Sequence, residues 1–182
     1  MRAFGIDNLI VADVCKAGWE SSVADRPVDV VIVPEVLEHL SDPGGFLDGL
    51  AAFAFERSAN AVFTVPSPFG LGVIGSLLSN VEFVHPDHNY WFSYHTVITL
   101  LEKHGWSVEQ VTPYSFEDVR VVAPIIDAFR GRGPLTGFKW SARVALRTPR
   151  RLLMRWLEKR SQFFSDGLIV TAHPVPNDLA SR

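Results

Sequence analysis

Val28-Asp29-Val30-Val31-Ile32-Val33-Pro34-Glu35-Val36-Leu37-Glu38-His39-Leu40-Ser41-Asp42-Pro43 is the stretch that decides the fold. Val28 to Val33 is apolar and almost wholly β-branched, apart from Asp29 at its entry. A strand covered on both faces reads this way. Glu35, Glu38 and His39 follow at once, then Pro43 and two glycines, so the strand is expected to run into a helix start loaded with charge. Open α/β sheets bind ligands at the carboxyl ends of their strands, so the placement of these groups tells more than their types.

The pattern around this stretch alternates. Leu9 to Ala12 is a short apolar run ending at Asp13, and Phe46 to Phe55 carries apolar residues at helical spacing. Ala61 to Val65 reads as a second buried strand, closed by Pro66 and Pro68. Thr96 to His104 reads as a helix stopped by Gly105, with Ser93 placed to cap it. Trp106 to Val111 and Gly167 to Ala172 read as further strands. Strand and helix in alternation is the α/β signature. Residues 114–165, broken by Pro124, Pro134 and Pro149, are expected to form a helical insertion before the last strand, within a single domain over 1–182.

Composition narrows the class. The 182 residues are 47% hydrophobic and 20% charged, which suits a globular chain with a real core and excludes disorder. Cys15 is the lone cysteine, so neither an intrachain disulfide nor a thiolate metal cluster is available. No signal peptide and no run of membrane-spanning length is evident, and a cytoplasmic address is expected. The net charge of −3 conceals an asymmetry. Between Lys139 and Arg160, eight basic residues face Glu158 alone, a net +7 that leaves −10 for the remainder. Such a block suits an anionic partner, and equally a solvated helix face.

Three constellations bear on chemistry. Glu35, Glu38 and His39 fall at i, i+3 and i+4, which share one face of a helix. Carboxylates with an imidazole can grip a divalent ion from one side and leave positions open for substrate, with a further ligand from His85-Pro86-Asp87-His88. Oxygen ligands suit Mg²⁺ or Mn²⁺, and the nitrogen suits Fe²⁺ or Zn²⁺. The same residues would also serve as plain helix-dipole partners. Gly70-Leu71-Gly72-Val73-Ile74-Gly75 matches a dinucleotide fingerprint in letters only, because Pro66 to Phe69 separates it from the strand end. His85, His88, Tyr90, Trp91, Phe92 and His95 crowd together, as a pocket wall for a planar or sugar-like acceptor would, or as an aromatic core corner would. Cys15 has no base partner in sequence, and no nucleophile elbow is present.

Four blocks in order, 29–40, 62–68, 88–96 and 100–108, resemble the later part of a class I S-adenosylmethionine-dependent methyltransferase. The resemblance implies a Rossmann-like α/β fold beginning near that family's third strand, with the first two strands and the Gly-rich loop missing. In that fold the first and second strands lie between the third and fourth, so the apolar edge of the Val28 strand would be open. The resemblance implies S-adenosylmethionine as cofactor, with Asp13 holding the adenine amino group, Val14 offering its backbone amide and Pro34 lining the methionine end. Small-RNA 2′-O-methyltransferases and some quinone-pathway O-methyltransferases are similar at Glu-x-x-Glu-His, which implies metal ligands Glu35, Glu38, His39 and His88, with Glu38 and His39 catalytic.

The reaction expected is methyl transfer to a hydroxyl of a small molecule or sugar, weakened by truncation. The alternatives are an RNA ribose 2′-O-methyltransferase, or a non-catalytic module whose 139–160 segment docks a membrane surface or an acidic partner.

Overall fold

The computed structural model describes residues 10–16, 18–23, 26–77, 80–82, 84–115, 156, 160–161 and 163–176. The described residues form a four-stranded sheet with helices. The strands are β1 (Val30–Pro34), β2 (Asn60–Pro66), β3 (Trp106–Tyr114) and β4 (Gly167–Pro174), in spatial order β1-β2-β4-β3. Helices α1 (Pro43–Arg57), α2 (Leu71–Leu77) and α3 (Tyr94–Lys103) connect them, with short 3-10 turns at Trp19–Val23 and Leu37–His39. β1 pairs parallel with β2, Val33 opposite Phe63 and Pro34 opposite Thr64. A parallel pair needs a crossover, and α1 supplies it.

The local signals explain the elements. Asp42 caps α1 by accepting from the Gly45 amide at 2.9 Å, and Pro43 takes the first helical position, where a missing N–H costs nothing. Ser58 ends the helix in the left-handed region at φ 54°, and the Ala59 amide closes back on the Ala54 carbonyl at 2.9 Å. Ser93 and Thr96 form a reciprocal capping box at the start of α3. Gly105, at φ 78°, reverses the chain into β3.

The core lies on one face of the sheet. Val33, Phe63, Val65 and Val170 from the strands meet Leu47 and Leu50 of α1 and Val97 and Leu101 of α3, all buried. Trp106 packs edge-on against Phe63 at 5.1 Å, and its indole N–H donates to the Leu47 carbonyl at 3.2 Å. The chain divides into two compact units: residues 1–67, 84–112 and 168–182 form one, residues 68–83 and 113–167 the other.

Two expectations change. Residues 10–13 form no strand, and the chain after them turns into the 3-10 segment whose Trp19 leans on Phe46 and Phe53 at 5.9 and 5.8 Å. An apolar run this short extends only where a neighbouring strand pairs with it. The charged segment after β1 is also no helix start. It passes through a left-handed residue, Glu35 at φ 49°, and one 3-10 turn, and the helix proper waits for Asp42 and Pro43. Most of the expected 114–165 insertion lies outside the described residues; Tyr114 closes β3.

Replacing Ser93 by alanine removes the half of the α3 capping box in which the Ser93 hydroxyl accepts from the Thr96 amide, and is expected to cost about 0.5–2 kcal/mol. Urea unfolding would show it as a lowered midpoint at unchanged slope.

Candidate functional site

The site forms where β1 ends. The Glu35 amide donates to both the carbonyl and the hydroxyl of Thr64 on β2, each at 3.0 Å, and the Thr64 hydroxyl donates to Glu35 Oε1 at 3.0 Å. These bonds fix the left-handed turn at Glu35, a conformation that costs energy for any residue with a Cβ. They also fix where the chain goes next. Leu37 drops into the core, and Glu38 follows it with no exposed surface.

A second segment straps this turn down. The amides of Asn89 and Tyr90 donate to the Glu38 carbonyl at 2.7 and 3.3 Å. The Asn89 side-chain amide donates to the carbonyls of His39 and Leu40 at 2.9 and 3.4 Å, and the Tyr90 hydroxyl to the Ser41 carbonyl at 3.1 Å. The strap carries His85 and His88 to His39, with ring centroids of His39 and His88 4.7 Å apart.

Glu38, His39 and His88 thereby offer one ligand atom each within 4.8 Å of one another. Both carboxylate oxygens of Glu38 and Nδ1 of His88 are buried without a hydrogen-bond partner. His39 Nδ1 lies 3.1 Å from the Asp87 carbonyl, which can only accept, so Nδ1 carries a proton and the neutral ring's lone pair falls on Nε2, 3.8 Å from Glu38 Oε1. Burial, then the charge of Glu35, holds the Glu38 carboxyl above the usual carboxylate range. Burial, then the neighbouring His39 and His85, makes the His88 imidazole harder to protonate than usual. Buried polar atoms of native proteins nearly always have partners. An orphaned carboxylate beside two imidazole lone pairs is the donor set a divalent ion completes, and these residues fit one.

The four ligand candidates therefore separate. Glu38, His39 and His88 converge, while Glu35 is engaged by Thr64 and is absent from the cluster. The cofactor candidates are not gathered. Asp13 is exposed, accepts from the Cys15 amide at 3.1 Å and pairs with Lys16 at 3.3 Å. The Cys15 amide, then Lys16, holds its carboxyl below the usual range. Val14 lines a cavity of about 310 Å³ with Cys15, Trp19, Asp42, Phe46 and Gly49, but neither Asp13 nor Pro34 does. Pro34 ends β1 beside Glu35. Gly70 opens the seven-residue α2, and a Cβ there would sit 2.7 Å from Asp166 Oδ1. A carboxylate in that position opposes a pyrophosphate, in keeping with reading the motif as a decoy. Thr64, Asp87 and Asn89 position the site and carried no signal in sequence, because their partners lie far along the chain.

With no ion bound, the buried Glu38 charge is a liability. Its folded carboxyl titrates higher than its unfolded one, so stability is lost as pH rises through and above the ordinary carboxylate range. In chelator at neutral pH, Glu38→Gln is expected to raise stability by about 1–3 kcal/mol and to flatten this pH dependence. Thermal melts of both proteins from pH 4 to 8 would show it.

No family model matches the chain, and no curated protein matches it. Among solved structures it is similar to a SAM-dependent methyltransferase from Archaeoglobus fulgidus, at 18% identity and a TM-score of 0.50, over 92% of this chain and 68% of that one. It also aligns with a complex between the Haloferax volcanii Trm112 methyltransferase activator and a methyltransferase, at 14% identity and a TM-score of 0.48, over 96% of this chain and 65% of that one. The chain thus spans about two thirds of the length of each of these structures. At such identities the likeness is one of fold: the α/β fold of this chain is similar to that of the Archaeoglobus fulgidus structure.

Proposed function

We propose that this chain carries the acceptor side of an S-adenosylmethionine-dependent O-methyltransferase. The acceptor on this reading is a hydroxyl of a small molecule or sugar, bound at a divalent ion held by Glu38, His39 and His88. The observation that carries the reading is the convergence of those three residues, with both Glu38 oxygens orphaned, at the carboxyl end of a parallel strand. Ligands bind at that end in open α/β sheets.

The chemistry is an in-line displacement. The acceptor oxygen attacks the methyl carbon as the carbon–sulfur bond breaks. The hydroxyl would lose its proton to solvent as the cofactor supplied its methyl group. The enzyme's part is mainly alignment of the two reactants. A bound ion would supply Lewis acidity that lowers the hydroxyl pKa. His39 presents Nε2 to the site because the Asp87 carbonyl holds its other nitrogen, and Glu38 presents a carboxylate that carries no competing hydrogen bond. Two imidazoles with one carboxylate suit Fe²⁺, Zn²⁺ or Mn²⁺ better than Mg²⁺. Trp91, edge-on to His88 at 6.4 Å, and the partly exposed Tyr90 give the acceptor an aromatic wall.

Asp13, Val14 and Pro34 are proposed as cofactor contacts, with the ribose and carboxylate of the cofactor held by groups other than these. Calorimetry with S-adenosylmethionine tests these contacts: Asp13→Ala is expected to weaken binding, and an unchanged affinity would contradict them. The runner-up acceptor is an RNA ribose, favoured by the +7 charge of residues 139–160. Steep salt dependence of RNA binding would select it.

The metal reading has its own measurement. Titrating Zn²⁺, Mn²⁺ or Mg²⁺ into chelator-stripped protein should raise its melting temperature, with Mg²⁺ the weakest. His39→Ala or His88→Ala should weaken that response about 10- to 100-fold in ion concentration, comparable to losing a positioned ligand shell. An unchanged response in both variants would sink the site, whatever the methyl-transfer activity.

A further inference from the structure

We propose that the acceptor taken at the Glu38–His39–His88 site is a hydroxyl compound that carries an ammonium group and no anionic group. The inference rests on the acceptor-side reading above and adds to it the charge of the substrate.

Glu38 marks where a ligand goes. Its carboxylate has no exposed surface, and neither oxygen has a hydrogen-bond partner. The charge around it is of one sign. The turn, the strands β1 and β2, the helix α1 and the strap that build the site lie within residues 27–67 and 84–102. These two stretches hold eight acidic residues against Arg57 alone, a net −7. Arg57 sits in the last turn of α1, about 20 Å along the helix from Pro43, where α1 leaves the site. It is engaged there, over the Phe53 ring at 4.0 Å, on the Phe53 carbonyl at 3.1 Å and with Glu56 at 3.3 Å.

The groups that act on the His88 imidazole carry the same pattern. Burial, then His39 and His85, makes it hard to protonate, while Glu35 and Asp87 pull the other way, and no Lys or Arg takes part among the described residues. Glu35, Glu38 and Asp87 together bring more negative charge than one divalent ion offsets. The Asp87 side chain is 77% exposed, and its backbone amide donates to His85 Nδ1 at 3.3 Å. A ring nitrogen that accepts a hydrogen bond carries no proton, so His85 is neutral while that bond holds and gives the Asp87 carboxylate no counter-charge.

These charges select the acceptor. An anionic acceptor would meet like charge beside a buried carboxylate, where salt screens least, and such repulsion is how a site rejects a wrong ligand. A cationic acceptor meets attraction from the carboxylates and from an aromatic ring. Tyr90 is 39% exposed, its hydroxyl is tied to the Ser41 carbonyl at 3.1 Å, and its ring stacks on the buried Phe92 with centroids 6.1 Å apart. A ring fixed in this way and still exposed can meet an ammonium group through its π-face. Carboxylates beside an ammonium keep it protonated, and a protonated nitrogen has no lone pair, so the hydroxyl oxygen remains the nucleophile.

The test is calorimetry on the whole chain loaded with Zn²⁺, using three catechols that differ in one side group: dopamine, 4-methylcatechol and 3,4-dihydroxyphenylacetate. Dopamine should bind most tightly and the acid least, about tenfold or more apart at low salt, and added salt should narrow the gap. Asp87→Asn should shrink the gap, and Asp87→Lys should reverse the order. Both substitutions keep the backbone bonds of residue 87, and melting curves check that the variants fold. The rise in melting temperature with Zn²⁺ separates the two readings. A chain that shows this rise yet binds none of the three, binds the acid as tightly as dopamine, or keeps the full gap in Asp87→Lys overturns the proposal and leaves the metal site standing. A chain that shows no rise overturns both. Single-stranded RNA that displaces dopamine from the loaded chain would also overturn the proposal.

Discussion

A carboxylate with no exposed surface and no hydrogen-bond partner is among the costliest groups a fold can carry, and Glu38 is such a group. The structure around it is built to put it there. Glu38 follows Leu37 into the core, and its carbonyl is held by two amides from the 85–90 strap. Its side chain cannot swing out to water while those bonds persist. The packing of Leu37 and the strap's hydrogen bonds therefore act against the solvation of the carboxylate. A fold that only needed stability would place an apolar residue at this position. The arrangement makes sense when something positively charged completes it, and His88, whose burial disfavours its protonated form, serves better as a ligand than as a counter-ion.

The same turn links the fold to the chemistry. β1 and β2 run parallel, so their carboxyl ends open on one side of the sheet. Thr64 on β2 reaches across to hold Glu35 just past the end of β1. That bond sets the left-handed residue that sends the chain down toward Leu37. Loss of Thr64 would act on Glu38 through the backbone, without any direct contact. The strap contributes from the other side, since Asn89 and Tyr90 together tie residues 38–41. Two independent sets of bonds, from distant parts of the chain, converge on five residues.

Much of this fold was legible in the sequence, for definite reasons. Val28–Val33, Ala61–Val65 and Gly167–Ala172 read as strands because apolar runs rich in β-branched residues lie between turn formers, and strands form there with slightly different ends. The start of α3 was visible because a capping serine is a local signal. What was not legible depends on distant partners. The i, i+3, i+4 spacing of Glu35, Glu38 and His39 suggested one helical face, but the helix signals, Asp42 and Pro43, come later, and a bond to Thr64 decides the backbone at Glu35. The spacing grouped Glu35, Glu38 and His39 and the resemblance added His88; the fold brings Glu38, His39 and His88 within reach of one another, while Thr64 engages Glu35. Residues 10–13 failed as a strand because an apolar run is only permission to pair, and among the described residues no strand pairs with it.

β1 lies at one end of the strand order, and Val30 and Ile32 are 51% and 66% exposed there. Their neighbour Val33 is buried against α1 and α3. The stretch therefore has a strand's composition for two covered faces but a cover on one. Natural edge strands usually carry a charge or a bulge to discourage pairing, and between Val30 and Val33 there is neither. The sequence of β1 is that of an interior strand. Its end carries the site's first turn, so a partner that paired with β1 would also stand beside Glu35 and Glu38, at the carboxyl end where open α/β sheets bind ligands.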